Sequence, residues 1–396
     1  MSSRIPPRYW MRRFFAGLIP MIFLASASCA PQVGALVSTE TRELSHRIPA
    51  ADGREVRIAN LAGTVELTPG GAGEISIEAV LHAAGKNDAE TQQLLDDMRW
   101  EIYRAEGKET WTLTYPVDRY STFHFNESGV GLGWNSTNTK FRGKKVKLTT
   151  ASSSSAPTLY ADLKITVPNG QKLFLKNALG DIHGGTHEGS FTLDTGSGAV
   201  DLDGFSGELT VDTGSGGVTL GTVRGETTVD TGSGDVDVEE LVGNGRLDTG
   251  SGDIRVRKLA AGRLVADTGS GDVYLAGGSA GELLLDTGSG EVRVIGVEAE
   301  TIKADTGSGD IAVESSLANA RLLELDTGSG DVRILAGSNA SFDIAFDSGS
   351  GDLVVQFDDT QLRRDGRKII GARRGSGQPR ILVDTGSGDC QLSPAE

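Results

Sequence analysis

The chain has 396 residues, 38 basic against 54 acidic side chains, a formal charge of -16 and 55 glycines. That charge speaks against nucleic acid as a partner, and two cysteines are too few for a disulfide-stapled fold. Apolar residues make up 37% of the chain, enough for a sizeable core, with only 6% aromatic, so the core is expected to be aliphatic.

Arg4, Arg8, Arg12 and Arg13 form a basic start, and the uncharged run from Phe14 to Ala25 is short for a bilayer-spanning helix of about 20 residues. The pattern is that of an export signal over residues 1–28. The run Leu24-Ala-Ser-Ala-Ser-Cys29 resembles a bacterial lipobox, which would make Cys29 a lipidated mature N-terminus. Ala25-x-Ala27 would equally serve an ordinary signal peptidase, and a free Cys29 could then pair with Cys390. Removal of four arginines and no acids takes the charge from -16 to -20. The expectation is a membrane-anchored lipoprotein, periplasmic or on the cell surface, with residues 29–52 as a tether.

Residues 53–175 read as a β-rich region with one short helix. Glu55-Val-Arg-Ile58, Thr64-Val-Glu-Leu67 and Glu74-Ile-Ser-Ile-Glu78 alternate as strands, as do Trp111–Tyr115 and Leu159–Val167. Asp88 to Met98 carries the helix, with Asp88 as its cap and Leu94, Leu95 and Met98 as its apolar stripe. Asp118 to Pro157 is polar and rich in glycine and serine, so a mobile loop is expected. Its Tyr120, Phe123, Phe125 and Trp134 are a candidate binding lip or a packing patch.

From 176 to 396 the chain repeats itself. Asp-Thr-Gly-Ser-Gly occurs nine times, opening at Asp194, Asp212, Asp230, Asp248, Asp267, Asp286, Asp305, Asp326 and Asp384, and Asp347 opens a tenth copy with Ser348 in place of Thr. The intervals are 18 to 21 residues except the last, 37, which fits one degenerate rung carrying an inserted loop. The residue before each Asp is apolar in all ten copies, from Leu193 to Val383, and an apolar pair such as Ile254/Val256 or Cys390/Leu392 follows each Gly-Ser-Gly. Each unit thus holds two short strands, with a third inward position at residues such as Phe205, Val223 and Leu241. Units this small bury their apolar side chains only by stacking, at about 4.8 Å per rung, which gives a rod on the order of 50 Å long. The expected fold is all-β, a parallel β-solenoid or β-helix of 18–21-residue rungs, with Cys390 in a core slot.

The turn Asn60-Leu-Ala-Gly-Thr-Val-Glu-Leu67, the single helix, Tyr160-Ala-Asp-Leu-Lys-Ile-Thr-Val-Pro168, Asn177-Ala-Leu-Gly-Asp-Ile182 and the repeated Gly-Ser-Gly-Asp-Val together resemble a known family. It is the bacterial "putative adhesin" family, a domain of unknown function made of β-strand repeats. The resemblance implies a β-solenoid in a cell-envelope setting; it supplies no functional residues.

Apolar-Asp-Thr-Gly-Ser also surrounds the catalytic aspartates of pepsin-like proteases, but those need one pair sharing a proton, not a column of ten. The turn Asp is expected to accept backbone N–H groups within its own turn. A second acid follows Gly-Ser-Gly in most copies, so two acidic ladders arise, and the pairs Asp230/Asp235, Asp248/Asp253 and Asp267/Asp272 are candidate calcium ligands. Carboxylates about 5 Å apart repel by roughly 1 kcal/mol in water and about 3 at an effective dielectric of 20, a cost that calcium or backbone hydrogen bonds could offset. His183 and His187 with Asp181 and Glu188 are a weaker metal candidate, in a strand and turn where their spacing does not converge. Arg363, Arg364, Arg367 and Lys368 are candidate contacts for lipid headgroups or polysaccharide, as is the basic run Lys140 to Lys147. Beyond calcium, no cofactor is expected. The functional expectation is a non-enzymatic envelope module or adhesin with a surface ligand, the alternatives being a periplasmic scaffold or signalling partner and, remotely, a carbohydrate-active β-helix enzyme.

Overall fold

A computed structural model describes residues 39–50, 53–71, 73–105, 107–125, 136–150 and 156–395. The export signal, Cys29 and Trp134 lie outside the described residues. Among those residues no helix is long and apolar enough to cross a membrane.

The fold is nearly all-β, a solenoid-like stack with two sheet faces. Before the repeats come β1 (Glu40–Pro49), β2 (Glu55–Asn60), β3 (Val65–Gly70), β4 (Glu74–Ala84), α1 (Asp88–Asp97), β5 (Trp100–Ala105), β6 (Lys108–Leu113), β7 (Thr122–His124), β8 (Ser136–Phe141), β9 (Lys144–Thr149), β10 (Thr158–Pro168) and β11 (Gln171–Asn177). The first repeat is β12 (Ile182–Thr195). Strands running into the repeated turn make one face: β5 pairs antiparallel with β6, then β6, β2, β11 and β12 pair in parallel. Strands leaving the turn make the other: β1 and β4 pair antiparallel, as do β4 and β10, then β10, β3 and β12 pair in parallel. The expected boundary at 175/176 falls inside β11, which pairs with β2 on one side and β12 on the other.

Through the repeats the register sets motif on motif: Asp194 opposite Asp212, Asp230 opposite Asp248, Asp286 opposite Asp305. The residue before each Asp is buried in every copy, and so are Phe205, Val223, Leu241, Leu259, Val297 and Leu317 at the third inward position. Cys390 is buried as expected, and desolvation pushes its thiol up to about 12. The two strands of a repeat often run together, as in Val273–Thr287 and Val292–Thr306.

Three expectations are corrected. The doubled last interval does not mark a degenerate rung. Arg380–Thr385 pairs in parallel with Leu322–Thr327 on one side and Phe342–Ser348 on the other, so the order in space is Asp326, Asp384, Asp347. The intervening residues form the hairpin Gln361–Asp365 and Lys368–Arg374, whose second strand lies antiparallel along Phe342–Ala345 and covers that edge. Second, the polar segment after Asp118 is partly folded. β8 and β9 form a hairpin anchored by Phe141, Val146 and Leu148, and Phe123 and Phe125 are wholly buried, so the few apolar residues suffice to pin it. Third, the cap of α1 is Asn87, whose extended backbone lets its side chain accept the Glu90 N–H at 2.9 Å. Asp88 is the first helical residue, where its charge suits the positive end of the helix dipole. The expected stripe of Leu94, Leu95 and Met98 is buried.

Candidate functional site

The repeated turn has three roles, and the sequence reading assigned one of them wrongly. Within the turn it is threonine, not the first aspartate, that holds the backbone. Thr249 accepts the Gly252 N–H at 3.1 Å and donates to the Gly234 carbonyl of the previous layer at 2.9 Å, and Thr287 does the same with Gly290 and Gly271. These threonines are at most 1% exposed, so each hydroxyl satisfies an acceptor and a donor that water cannot reach. The tightness of the stack explains the second glycine of Gly-Ser-Gly: a Cβ on Gly309 would lie 1.8 Å from the Gly290 carbonyl oxygen.

The second acid works between layers. Asp235 accepts the backbone N–H of Asp253 at 2.9 Å, Asp253 that of Asp272 at 2.8 Å, and Asp272 that of Glu291 at 2.8 Å. At the far end Asp331 accepts from Asp389 and Asp389 from Asp352, both at 2.8 Å, which follows the inverted layer order. Bonds to a charged acceptor contribute about 1.5–3 kcal/mol each and offset the repulsion along this ladder.

That leaves the first aspartates as an outward column. Asp212, Asp286 and Asp326 all have carboxyls raised above the ordinary range, first by partial burial and then by the aspartates stacked above and below. For Asp326 those neighbours are Asp305 and Asp384. At the other end Lys176 holds the equivalent place in β11 and pairs with Asp194. Beside the column runs a groove of ≈ 850 Å³ whose apolar lining includes Val265, Leu284, Leu382 and Ala345, with Ile370 of the hairpin at its end.

The pairs Asp230/Asp235, Asp248/Asp253 and Asp267/Asp272 are therefore divided between two ladders on different faces, and among the described residues no three His, Cys, Asp or Glu side chains converge on a metal position. His183 reaches Asp201 at 3.1 Å, while His187 is buried against the Leu67 carbonyl, and burial lowers its pKa. In the basic hairpin Arg363 bonds Asp343 and the Ile344 carbonyl, Lys368 bonds the Ser348 carbonyl, and Arg364 bonds the Arg367 carbonyl at 3.3 Å. Arg363 and Lys368 thus fasten the hairpin to the outermost layer. Tyr120 donates to Glu90 at 2.6 Å and packs on Phe123, so the described part of the aromatic lip faces inward.

Residues 225–393 match the family model described as Toastrack DUF4097, so the resemblance to a family of β-strand repeats holds over most of the repetitive region. No curated protein gives a significant match. Among solved structures, a "putative lipid binding protein" from Parabacteroides distasonis is 15% identical, with 90% of this chain and 97% of that chain covered and a TM-score of 0.34. A "putative adhesin" from Parabacteroides merdae is 12% identical over 90% and 97%, also at 0.34, and one from Bacteroides fragilis is 11% identical over 89% and 97%, at 0.27. At such scores these likenesses carry no weight on function.

Proposed function

We propose that this chain is a non-enzymatic binding module of the cell envelope, adhesin-like in class, anchored through Cys29 and presenting its stacked faces to another surface. The observation that carries the reading is the register of the motif. Ten outward carboxylates stand in one column, the six of Asp267, Asp286, Asp305, Asp326, Asp384 and Asp347 along a partly apolar groove, so the surface is an array in which each group has a copy one layer away. Arrays of this kind suit broad contact with an extended surface. Catalysis by a carboxylate pair requires the opposite, two groups whose environments push their pKa values apart; the three column aspartates with resolved shifts move in the same direction for the same causes.

Protease shaving of intact cells tests this, with an antibody to residues 176–396 and a periplasmic protein as leakage control. Loss of signal from sealed cells is the expected result. Full protection until the envelope is breached would overturn the adhesin reading in favour of a periplasmic scaffold.

A further inference from the structure

The end of the stack that carries β1 and β5 differs from the acidic repeats in both charge and surface chemistry. Between Lys140 and Lys147 there are five basic residues and no acid, in a chain of formal charge -16. All five side chains are exposed at the β8–β9 hairpin. Arg142, at its turn, reaches Glu101 of β5 at 2.7 Å, and Lys144 pairs with Asp118. Lys140, Lys145 and Lys147 form no ion pair among the described residues. Two residues along β5 from Glu101 stands Tyr103, 70% exposed, next to Ile102, 44% exposed; they are two of the five large apolar residues the described surface exposes. β5 is the edge of its sheet, and Ile102 stands on the core side of that edge, opposite Trp111, with no further layer to cover it.

We infer that this end is a membrane-contact surface, in which Ile102 and Tyr103 enter the headgroup region of an anionic phospholipid bilayer and the β8–β9 lysines meet its phosphates. A tyrosine beside an aliphatic residue suits the interface between headgroups and acyl chains, and clustered lysines are drawn to anionic lipid. The acids of the repeats lie mostly beyond a Debye length of about 8–10 Å, so their repulsion is screened while the local patch is felt. Several nearer acids are engaged: Asp96 with Arg42, Asp97 with Arg119, Glu109 with Arg54 and Arg104.

The chain's connectivity favours a bilayer over other anionic partners. β1 begins at Glu40, eleven residues after Cys29, and eleven residues span at most about 40 Å. β1 and β5 share one end, since His46 lies 6.4 Å from Trp100 and 5.3 Å from Trp111, ring to ring. A lipid on Cys29 therefore keeps this end, and not the Gln361–Arg374 hairpin, within reach of the membrane. In this respect the inference rests on the anchored reading.

The test uses the mature chain with Cys29→Ser, which cannot be acylated, sedimented with vesicles of phosphatidylglycerol and phosphatidylethanolamine or of phosphatidylcholine alone. Sedimentation with the anionic vesicles only, weakened by salt, is expected. Each lysine at a membrane surface is worth about a fivefold change in partition, so K140E/K145E/K147E should weaken binding more than tenfold, and I102D/Y103D should also weaken it, with circular dichroism unchanged in both. Absence of binding to anionic vesicles, binding that neither variant alters, or retention on a polyanionic polysaccharide without vesicle binding would each overturn the inference. Palmitate labelling of the wild-type chain reports the anchor separately: unlabelled protein whose Cys29→Ser form still binds vesicles would sink the anchor and leave the surface standing.

Discussion

The repeats and the layers that precede them solve the same problem with different chemistry. Opposite the threonine column of the repeats stand Asn177 and then Asn60, in register with Thr195. A threonine makes two bonds and hands the pattern to the next layer. Asn60 gathers four partners: it donates to the Ala62 and Ala161 carbonyls and to Asn177, and it accepts the Tyr115 hydroxyl at 2.6 Å. Asn177 in turn donates to the Gly63 and Gly180 carbonyls. The repeats spread their polar support over many equal, replaceable contributions, whereas the first layers concentrate it in one buried junction that ties β2, β3, β10 and β11 together.

If that contrast is right, the largest single effect should come from Asn60→Ala. It strands several buried groups at about 1–3 kcal/mol each, and an expected loss of about 3–5 kcal/mol should be visible in urea unfolding. A loss below that of a repeat threonine would break the comparison. Gly309→Ala comes next, because the new Cβ meets backbone that cannot swing aside; roughly 3 kcal/mol, at the upper end of overpacking costs, is expected by the same measurement. Thr287→Val keeps the shape but leaves the Gly290 N–H and Gly271 carbonyl unpaired. It should cost about 1–3 kcal/mol, and the same change at Thr249 should match it if the layers are equivalent.

The smallest effect is one of pH. The folded-state pKa of Asp286 is raised, so ionising it opposes folding: the opposition is absent below the ordinary carboxylate value of 3.8 and complete above the raised one. Asp286→Asn should therefore stabilise the fold at pH 7, by no more than about 1 kcal/mol for so exposed a group, read as a higher Tm. The advantage should vanish as the pH falls through the raised range towards 3.8. A variant less stable than wild type at pH 7 would mean the carboxylate has a favourable partner.

Much of this was legible in the sequence because periodicity exposes burial: Leu193, Leu285 and Val383 read as inward simply by recurring. The same periodicity hid the layer order. With Asp-Thr-Gly-Ser-Gly in nearly every copy, nothing local says whether Asp384 stacks on Asp347 or slips between it and Asp326. The division of labour in the turn was hidden differently, since Asp and Thr both cap turns and only the direction in which each side chain leaves the strand tells them apart. β2 and β3 were read as strands and β11 was not, and none was read as a layer of the same two faces, because Asn60 and Asn177 stand where the motif would show threonine.

The inverted layer order also bears on how this end of the molecule opens. A linear stack ordinarily frays one layer at a time from its tip. Here the tip, Phe342–Val355, rests on Arg380–Pro394 and is roofed by Lys368–Arg374. The Arg380–Pro394 layer is held from both sides, so zippering that advances in chain order must halt after Asp326 until three segments settle together. Their amides should then exchange in one shared opening, a cooperative block closing an otherwise graded stack.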